Sequence, residues 1–230
     1  MKFASYGKPL VTIFLLSLLA DLVAIALIGF FVSYLFAAVF AILSLPLHAF
    51  LLAFFRDPLR DADQRELSDR RMYAPADGRI TEIAEIDDAR VGGPALKIGI
   101  FLSVFDVHIN RSPCRAAVVS AERHEGRCVD ARNLESSKIN SCVDVLLAPH
   151  SGSIVALPER IVVRQITGAI ARRIVCDAGP GDELKAGERF GMIMFGSRTE
   201  LIVPNTPHAK VLVTLGQKVY AGKDPLIEYA

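Results

Sequence analysis

From Pro9 to Phe55 the chain carries one formal charge, Asp21, and no other stretch restricts its folding as strongly. As helix, these 47 residues would extend about 70 Å, roughly twice the thickness of a bilayer core. Two helices joined near Gly29-Phe30-Phe31 therefore fit better than one. The block is too long for the apolar region of a signal peptide, and no small-residue cleavage site follows it. Lys2 and Lys8 precede it, while Arg56, Arg60, Arg65, Arg70 and Arg71 follow. Positive charge at both ends favours a hairpin with both ends cytoplasmic. A shallow insertion in one leaflet and a buried helical pair in a soluble domain stay open beside full spanning. Asp21 belongs near an interface or against the partner helix.

Downstream of Arg56 the chain has the character of an ordinary soluble protein. Lys+Arg 26 against Asp+Glu 25 leaves almost no net charge, so no nucleic-acid partner is expected. Cys114, Cys128, Cys142 and Cys176 form no C-x-x-C pair, which leaves zinc and redox motifs unsupported. They are expected to be reduced and mostly buried, and no metal site is expected. Three regions follow: apolar helices over residues 1–56, a charged linker over 57–71, and a β-rich domain over 72–230. A short surface helix fits Ala62 to Ser68 in the linker. The fold class is mainly β (α+β), preceded by the helical hairpin.

Alternation and β-branched content place strands at Ile80–Ile83, Leu96–Phe105, Ala116–Ala121, Val143–Ala148, Ser153–Leu157 and Arg160–Ile166. Ala131–Ser141 reads as a loop or short helix, and Ile170–Val175 as a short helix entering a strand. Arg172 and Arg173 suit either solvent or an anionic head group. Gly181–Glu188 is a hairpin element with a weak echo at Gly216–Lys223. Both match the Gly-x-x-φ-x-x-Gly hairpins of biotinyl and lipoyl carrier domains, φ being apolar. Lys185, Lys210, Lys218 and Lys223 lack the setting of a modifiable carrier lysine.

The stretch richest in chemistry is Gly191-Met192-Ile193-Met194-Phe195-Gly196-Ser197-Arg198-Thr199-Glu200. It reads as a strand, a strained turn at Gly196-Ser197, and a second strand running to Pro204. A serine in such a turn can attack the preceding carbonyl carbon, moving the acyl group from nitrogen to oxygen. Elimination from that ester leaves dehydroalanine, and its hydrolysis gives a pyruvoyl group at a new N-terminus. Glycine suits the carbonyl side because it tolerates strain and leaves the carbon open. Taken alone, Gly-Ser is also an ordinary turn dipeptide.

Two further residues fit acid–base work. Asp77, in Tyr73-Ala74-Pro75-Ala76-Asp77-Gly78, is either a turn carboxylate or a functional one. His108, in Val104-Phe105-Asp106-Val107-His108-Ile109-Asn110-Arg111, alternates with apolar residues and so faces inward. It is either a hydrogen-bonded core histidine or a proton carrier.

In order and spacing these segments resemble the phosphatidylserine decarboxylase proenzymes, in particular the short prokaryotic form. The likeness runs from about Leu51 to Val219. It is carried by Phe54-Phe55-Arg56-Asp57-Pro58, Ala74-Pro75-Ala76-Asp77-Gly78, Val104 to Arg111, and Thr167 to Pro204 with Ala171-Arg172-Arg173-Ile174 and Phe195-Gly196-Ser197. The Glu135–Ser141 loop departs from it, reading Ser137-Lys138-Ile139-Asn140-Ser141 where the family often has Asn-Glu-Arg or Asn-Glu-Gln.

The resemblance implies self-cleavage between Gly196 and Ser197, giving a β chain of residues 1–196 and an α chain of 197–230. It implies a covalent pyruvoyl cofactor made from Ser197, with His108 and Asp77 as further catalytic residues. The substrate implied is phosphatidylserine in the cell membrane, decarboxylated to phosphatidylethanolamine by a domain on the cytoplasmic side. An archaetidylserine decarboxylase and a non-enzymatic membrane-anchored β domain are the alternatives. Oligomeric state is open, a homo-oligomer included.

Overall fold

The computed structural model describes residues 3–133, 135–150, 157–169, 173–194 and 197–230. They divide into two compact units, Met1–Pro58 and Leu59–Ala230.

The first unit is an antiparallel pair, α1 (Lys8–Phe31) and α2 (Tyr34–Phe54), preceded by a 3-10 turn at Ser5–Gly7. Pro9 sits in the first turn of α1, where its missing N–H costs nothing. The break falls at Val32-Ser33, just past the expected glycine, and Ser33 caps α2 by accepting from the Leu35 N–H at 3.2 Å. The two apolar helical segments, Ser5–Phe31 and Tyr34–Phe54, have mean hydropathies of 2.7 and 2.3. At about 1.5 Å per residue each is long enough to cross a bilayer core. Only 6% and 11% of their most apolar windows are buried, which disfavours the reading of a core pair inside a soluble domain. Asp21 faces the partner helix: its carboxylate lies 3.6 Å from His48 Nδ1. His48 Nδ1 donates to the Ser44 carbonyl at 3.0 Å, and Nε2 meets Ser17 Oγ at 2.9 Å. Such polar contacts hold apolar helices in register where lipid supplies no hydrophobic drive.

The second unit is mainly β, with short helical turns. Its strands are β1 (Arg71–Tyr73), β2 (Gly78–Asp88), β3 (Gly93–Leu102), β4 (Ile109–Arg111), β5 (Ala116–His124), β6 (Cys142–Pro149) and β7 (Ile161–Thr167). They continue as β8 (Arg173–Cys176), β9 (Glu183–Leu184), β10 (Arg189–Met194), β11 (Ser197–Pro204), β12 (Ala209–Val211), β13 (Lys218–Val219) and β14 (Pro225–Tyr229). Eight form one curled sheet in the order β13-β2-β3-β11-β7-β6-β5-β9, and two three-stranded sheets, β1-β14-β12 and β4-β10-β8, complete the unit. A continuous core of Ile98, Ile100, Leu102, Val145, Leu147, Val163, Leu201 and Val203 fills the space they enclose.

The strands expected on either side of Gly196-Ser197 are present as β10 and β11, and they do not pair with each other: β10 pairs with β4 and β8, whereas β11 pairs with β3 and β7. The chain changes sheets between Met194 and Ser197. The linker holds a single 3-10 turn, Asp61–Asp63, in place of a helix over Ala62–Ser68. The stretch expected as a loop or short helix over Ala131–Ser141 contains one helical turn, α3 (Ser136–Ile139). The strand expected at Ser153–Leu157 lies, but for Leu157, outside the described residues, as does the start of the helix expected at Ile170. The two glycine hairpins share a backbone form, with positive φ at Gly181 (90°) and Gly187 (74°), and at Gly216 (80°) and Gly222 (64°). All four cysteines are free, Cys114 and Cys142 buried, Cys128 and Cys176 only partly so.

Asp63 ties the linker to the sheets. Its carboxylate accepts from Arg111 at 3.1 and 3.3 Å, and from Arg189 at 2.6 and 3.0 Å. Burial pushes the Asp63 carboxyl up, but the hydrogen bonds from Arg111, Arg189 and the Arg60 N–H outweigh it and hold it well below the usual carboxylate range. A depressed folded-state pKa stabilises the fold above the ordinary carboxylate range, and that gain disappears as pH falls through the folded value. Asp63→Asn should cost about 3 kcal/mol near neutrality, since the buried Arg111 loses its charge partner. Thermal melts of the detergent-solubilised protein at neutral and acid pH would check this. The difference between variant and parent should shrink as the solution is acidified.

Candidate active site

Ser197 opens β11 between two neighbours, opposite Leu102 of β3 and Thr167 of β7. It is fully buried, and its Oγ has no hydrogen-bond partner among the described residues. A buried, unpaired hydroxyl costs about 1–3 kcal/mol, so its retention asks for a chemical reason. Gly196, expected on the other side of the reacting bond, lies outside the described residues.

His108, also fully buried, sits just before β4, and its carbonyl accepts from the Ile193 N–H of β10 at 3.1 Å. Its Nδ1 lies 2.9 Å from the Asp106 carbonyl oxygen. A carbonyl only accepts, so Nδ1 carries the hydrogen and Nε2 is the basic nitrogen of the neutral ring. The ring is thus oriented at Nδ1 by a backbone carbonyl, where a Ser-His-Asp relay would use a carboxylate. Asp106 is itself fixed: its carboxylate accepts from the Ser103 N–H and Oγ, both at 2.9 Å, and pairs with Lys218. Burial raises the Asp106 carboxyl, and the Lys218 and Ser103 hydrogen bonds bring it below its ordinary value.

Asp77, 3% exposed, precedes β2. One carboxylate oxygen accepts from the Ala221 N–H at 2.8 Å, and the other from Arg60 Nη2 at 2.5 Å. Burial pushes its pKa up, and the charge of Arg60 only partly offsets this.

Polar residues passed over in the sequence surround Ser197. Thr199 shares its sheet face, and Gln165 and Thr167 stand opposite on β7. Asn110 Nδ2 donates to Thr199 Oγ1 at 3.0 Å, and Gln165 Nε2 donates to Asn110 Oδ1 at 2.8 Å. Gln165 Oε1 is buried without a partner among the described residues. Ser197 Oγ and Gln165 Oε1 are therefore two unmatched polar atoms on the inner face of one strand pair.

The other face of β11 is ionic. Arg198 and Glu200 are fully buried and bonded at 2.7 Å; Arg198 also pairs with Glu82, and Lys97 lies 3.0 Å from Glu82. Ser137 Oγ of α3 donates to Glu200 at 2.9 Å, which links the divergent loop to the strand that begins at Ser197. A Cβ at Gly99 would stand 2.1 Å from the Arg198 guanidinium, so glycine there makes room for the buried cation. No metal-binding group of three or more His, Cys, Asp or Glu occurs among the described residues.

The phosphatidylserine decarboxylase family model matches residues 47–226, a span that holds Asp77, His108 and Ser197. The chain belongs to the phosphatidylserine decarboxylase family. It is 43% identical over 178 residues to a phosphatidylserine decarboxylase proenzyme of Rhodopirellula baltica, covering 76% of this chain and 70% of that one. It is 40% identical over 203 residues to the proenzyme of Symbiobacterium thermophilum, covering 88% and 87%. A third relative, the proenzyme of Pelobacter propionicus, is 40% identical over 195 residues, covering 85% and 82%. The family match takes in α3 and the Arg198–Glu200 network as well as the site.

Proposed function

We propose that the chain is a membrane-attached phosphatidylserine decarboxylase that matures by cleaving itself between Gly196 and Ser197 into chains of residues 1–196 and 197–230. The observation that carries the self-cleavage reading is the Ser197 hydroxyl, buried and unpartnered at the first residue of a central strand. Thr199 and Gln165, joined through Asn110, give a fixed polar wall on the same sheet face, and His108, held at Nδ1 by the Asp106 carbonyl, is the base this reading assigns.

His108 takes the Ser197 hydroxyl proton on Nε2 as Oγ bonds to the Gly196 carbonyl carbon, and the Gly196–Ser197 amide nitrogen accepts a proton as it leaves. The Asp106 carbonyl, bonded to Nδ1–H, stabilises the imidazolium that forms. Elimination then releases Gly196 as a carboxylate, and water replaces the nitrogen of residue 197 as ammonia. The pyruvoyl group so formed supplies a carbonyl electron sink for decarboxylation of an amine-bearing substrate, the task that a pyridoxal cofactor performs elsewhere. The residues present fit it: residue 197 is fully buried beside the hydrogen-bonded Asn110, Gln165 and Thr199, and burial keeps off the water that would quench carbanion character. In this reading His108, with a proton on Nε2, returns it to the former α-carbon.

The substrate and product are diacyl lipids that stay in the bilayer, so an anchor of two apolar helices raises the local substrate concentration at the site. Both chain ends then lie on the cytoplasmic side, by the charges that flank the helices.

Asp77 acts through its pairing with Arg60 and the Ala221 N–H, which fixes the loop ahead of β2 beside Pro75, whose carbonyl accepts from Asn110 at 3.4 Å. Asp77→Asn should slow chain splitting without abolishing it, read from a time course on denaturing gels. The raised carboxyl pKa adds a pH test. Processing should fall off on acidification at a pH above the ordinary carboxylate range, because Asp77 regains its proton there. The asparagine variant should lack that limb. An unchanged rate and pH profile would reduce Asp77 to a turn residue.

A further inference from the structure

The Leu59–Ala230 unit exposes large apolar side chains around the outer wall of the site. Phe105 is 73% exposed, Leu59 67%, Leu215 65% and Tyr220 38%. A run of contacts draws them into one patch. Arg60, beside Leu59, lies over the Tyr220 ring at 5.4 Å, with Lys223 at 5.6 Å and Lys218 at 6.0 Å. Lys218 pairs with Asp106, the neighbour of Phe105. Leu215 stands in the turn before β13, where the Gly216 carbonyl accepts from Arg79 at 3.0 Å. Arg60 and Asp106 are also the groups that hold Asp77 and His108.

Charge is sorted across this patch. The acids Asp77 and Asp106 are buried, at 3% and 9% exposure, and each is paired with a cation; Asp224 is half-buried and accepts from the Tyr220 N–H at 2.8 Å. Arg79 and Lys223 are exposed, and neither has a carboxylate partner among the described residues. Protruding apolar side chains ringed by outward cations suit an anionic bilayer: the apolar tips enter the acyl boundary while the cations meet phosphates. Connectivity agrees. Leu59 follows the end of α2 at Phe54 by five residues, about 18 Å of extended chain at most. A bilayer that holds α2 is within its reach.

We propose that Leu59, Phe105, Leu215 and Tyr220, with Arg79 and Lys223, form a docking face for an anionic membrane surface. It seats the wall of the site on the lipid head groups, independently of the helical anchor. The inference deepens the lipid-substrate reading and rests on it for its purpose.

The chain contains no tryptophan, so Leu215→Trp gives full-length protein a single emitter. The protein is reconstituted in vesicles of phosphatidylserine, phosphatidylglycerol and phosphatidylcholine, with or without brominated acyl chains. Emission should shift to the blue and be quenched by the brominated lipid, and Lys223→Glu in the same background should weaken the quenching. Val119→Trp is the control, since Val119 is 41% exposed on β5, at the far end of the sheet from β13. It should stay red-shifted and unquenched. Leu215→Trp emission equal to the control would overturn the proposal. So would a blue shift insensitive to bromine, which would mean burial against protein, a second copy of the chain included. Phosphatidylethanolamine formation is measured in the same vesicles. Quenching without product would sink the decarboxylase reading and leave the docking face standing.

Discussion

Ser197→Ala is expected to give one uncleaved chain with no decarboxylase activity. Every bond change proposed at position 197 passes through Oγ, and alanine offers no atom to attack the Gly196 carbonyl. The loss should be complete in both readouts, since the cofactor arises only from the cleaved serine. Stability should move the other way, or not at all. Ser197 Oγ is buried without a partner, so removing it relieves a desolvation cost of about 1–3 kcal/mol. The variant should therefore melt no lower than the unprocessed parent, which separates lost chemistry from a lost fold. Cleavage of the alanine chain at the same bond would contradict the mechanism outright.

His108→Ala should slow chain splitting by about 10²–10⁴-fold, the usual weight of a positioned base. The ring is fully buried and fixed at Nδ1 by the Asp106 carbonyl, so alanine also leaves a void. His108→Gln is the companion variant: it keeps most of the volume and a donor for that carbonyl, and cannot serve as a base near neutrality. Both should remain largely full-length under conditions where the parent is fully processed. Wild-type cleavage by the folded glutamine variant would remove His108 from this step.

The parts legible in the sequence are those set by local pattern. A long apolar block with one charge could hardly become anything but a helical pair, and the alternating runs became β2, β3, β5, β6 and β7. Ser197 and His108 drew attention through a Gly-Ser step and an inward histidine, and the structure agrees that both are buried. What failed depends on distant pairing. The stretch around Gly196-Ser197 shows two strands but not their partners, which lie in different sheets and are chosen by residues far along the chain. Asn110 and Gln165, 55 positions apart, give no local sign of meeting. Gln165 did leave a trace, as an amide amid the apolar residues of β7. Arg198 and Glu200 alternate as a solvent-facing row would, but α3 and the Glu82–Lys97 pair cover that face. The hold on His108 comes from a backbone carbonyl, which no side-chain pattern announces.

Intact mass spectrometry of the purified, denatured wild-type protein tests the central claim most directly. The account predicts two masses: residues 1–196, and residues 197–230 lighter than a serine-initiated peptide by the net loss of ammonia. A single mass for all 230 residues in a preparation that decarboxylates phosphatidylserine would contradict it.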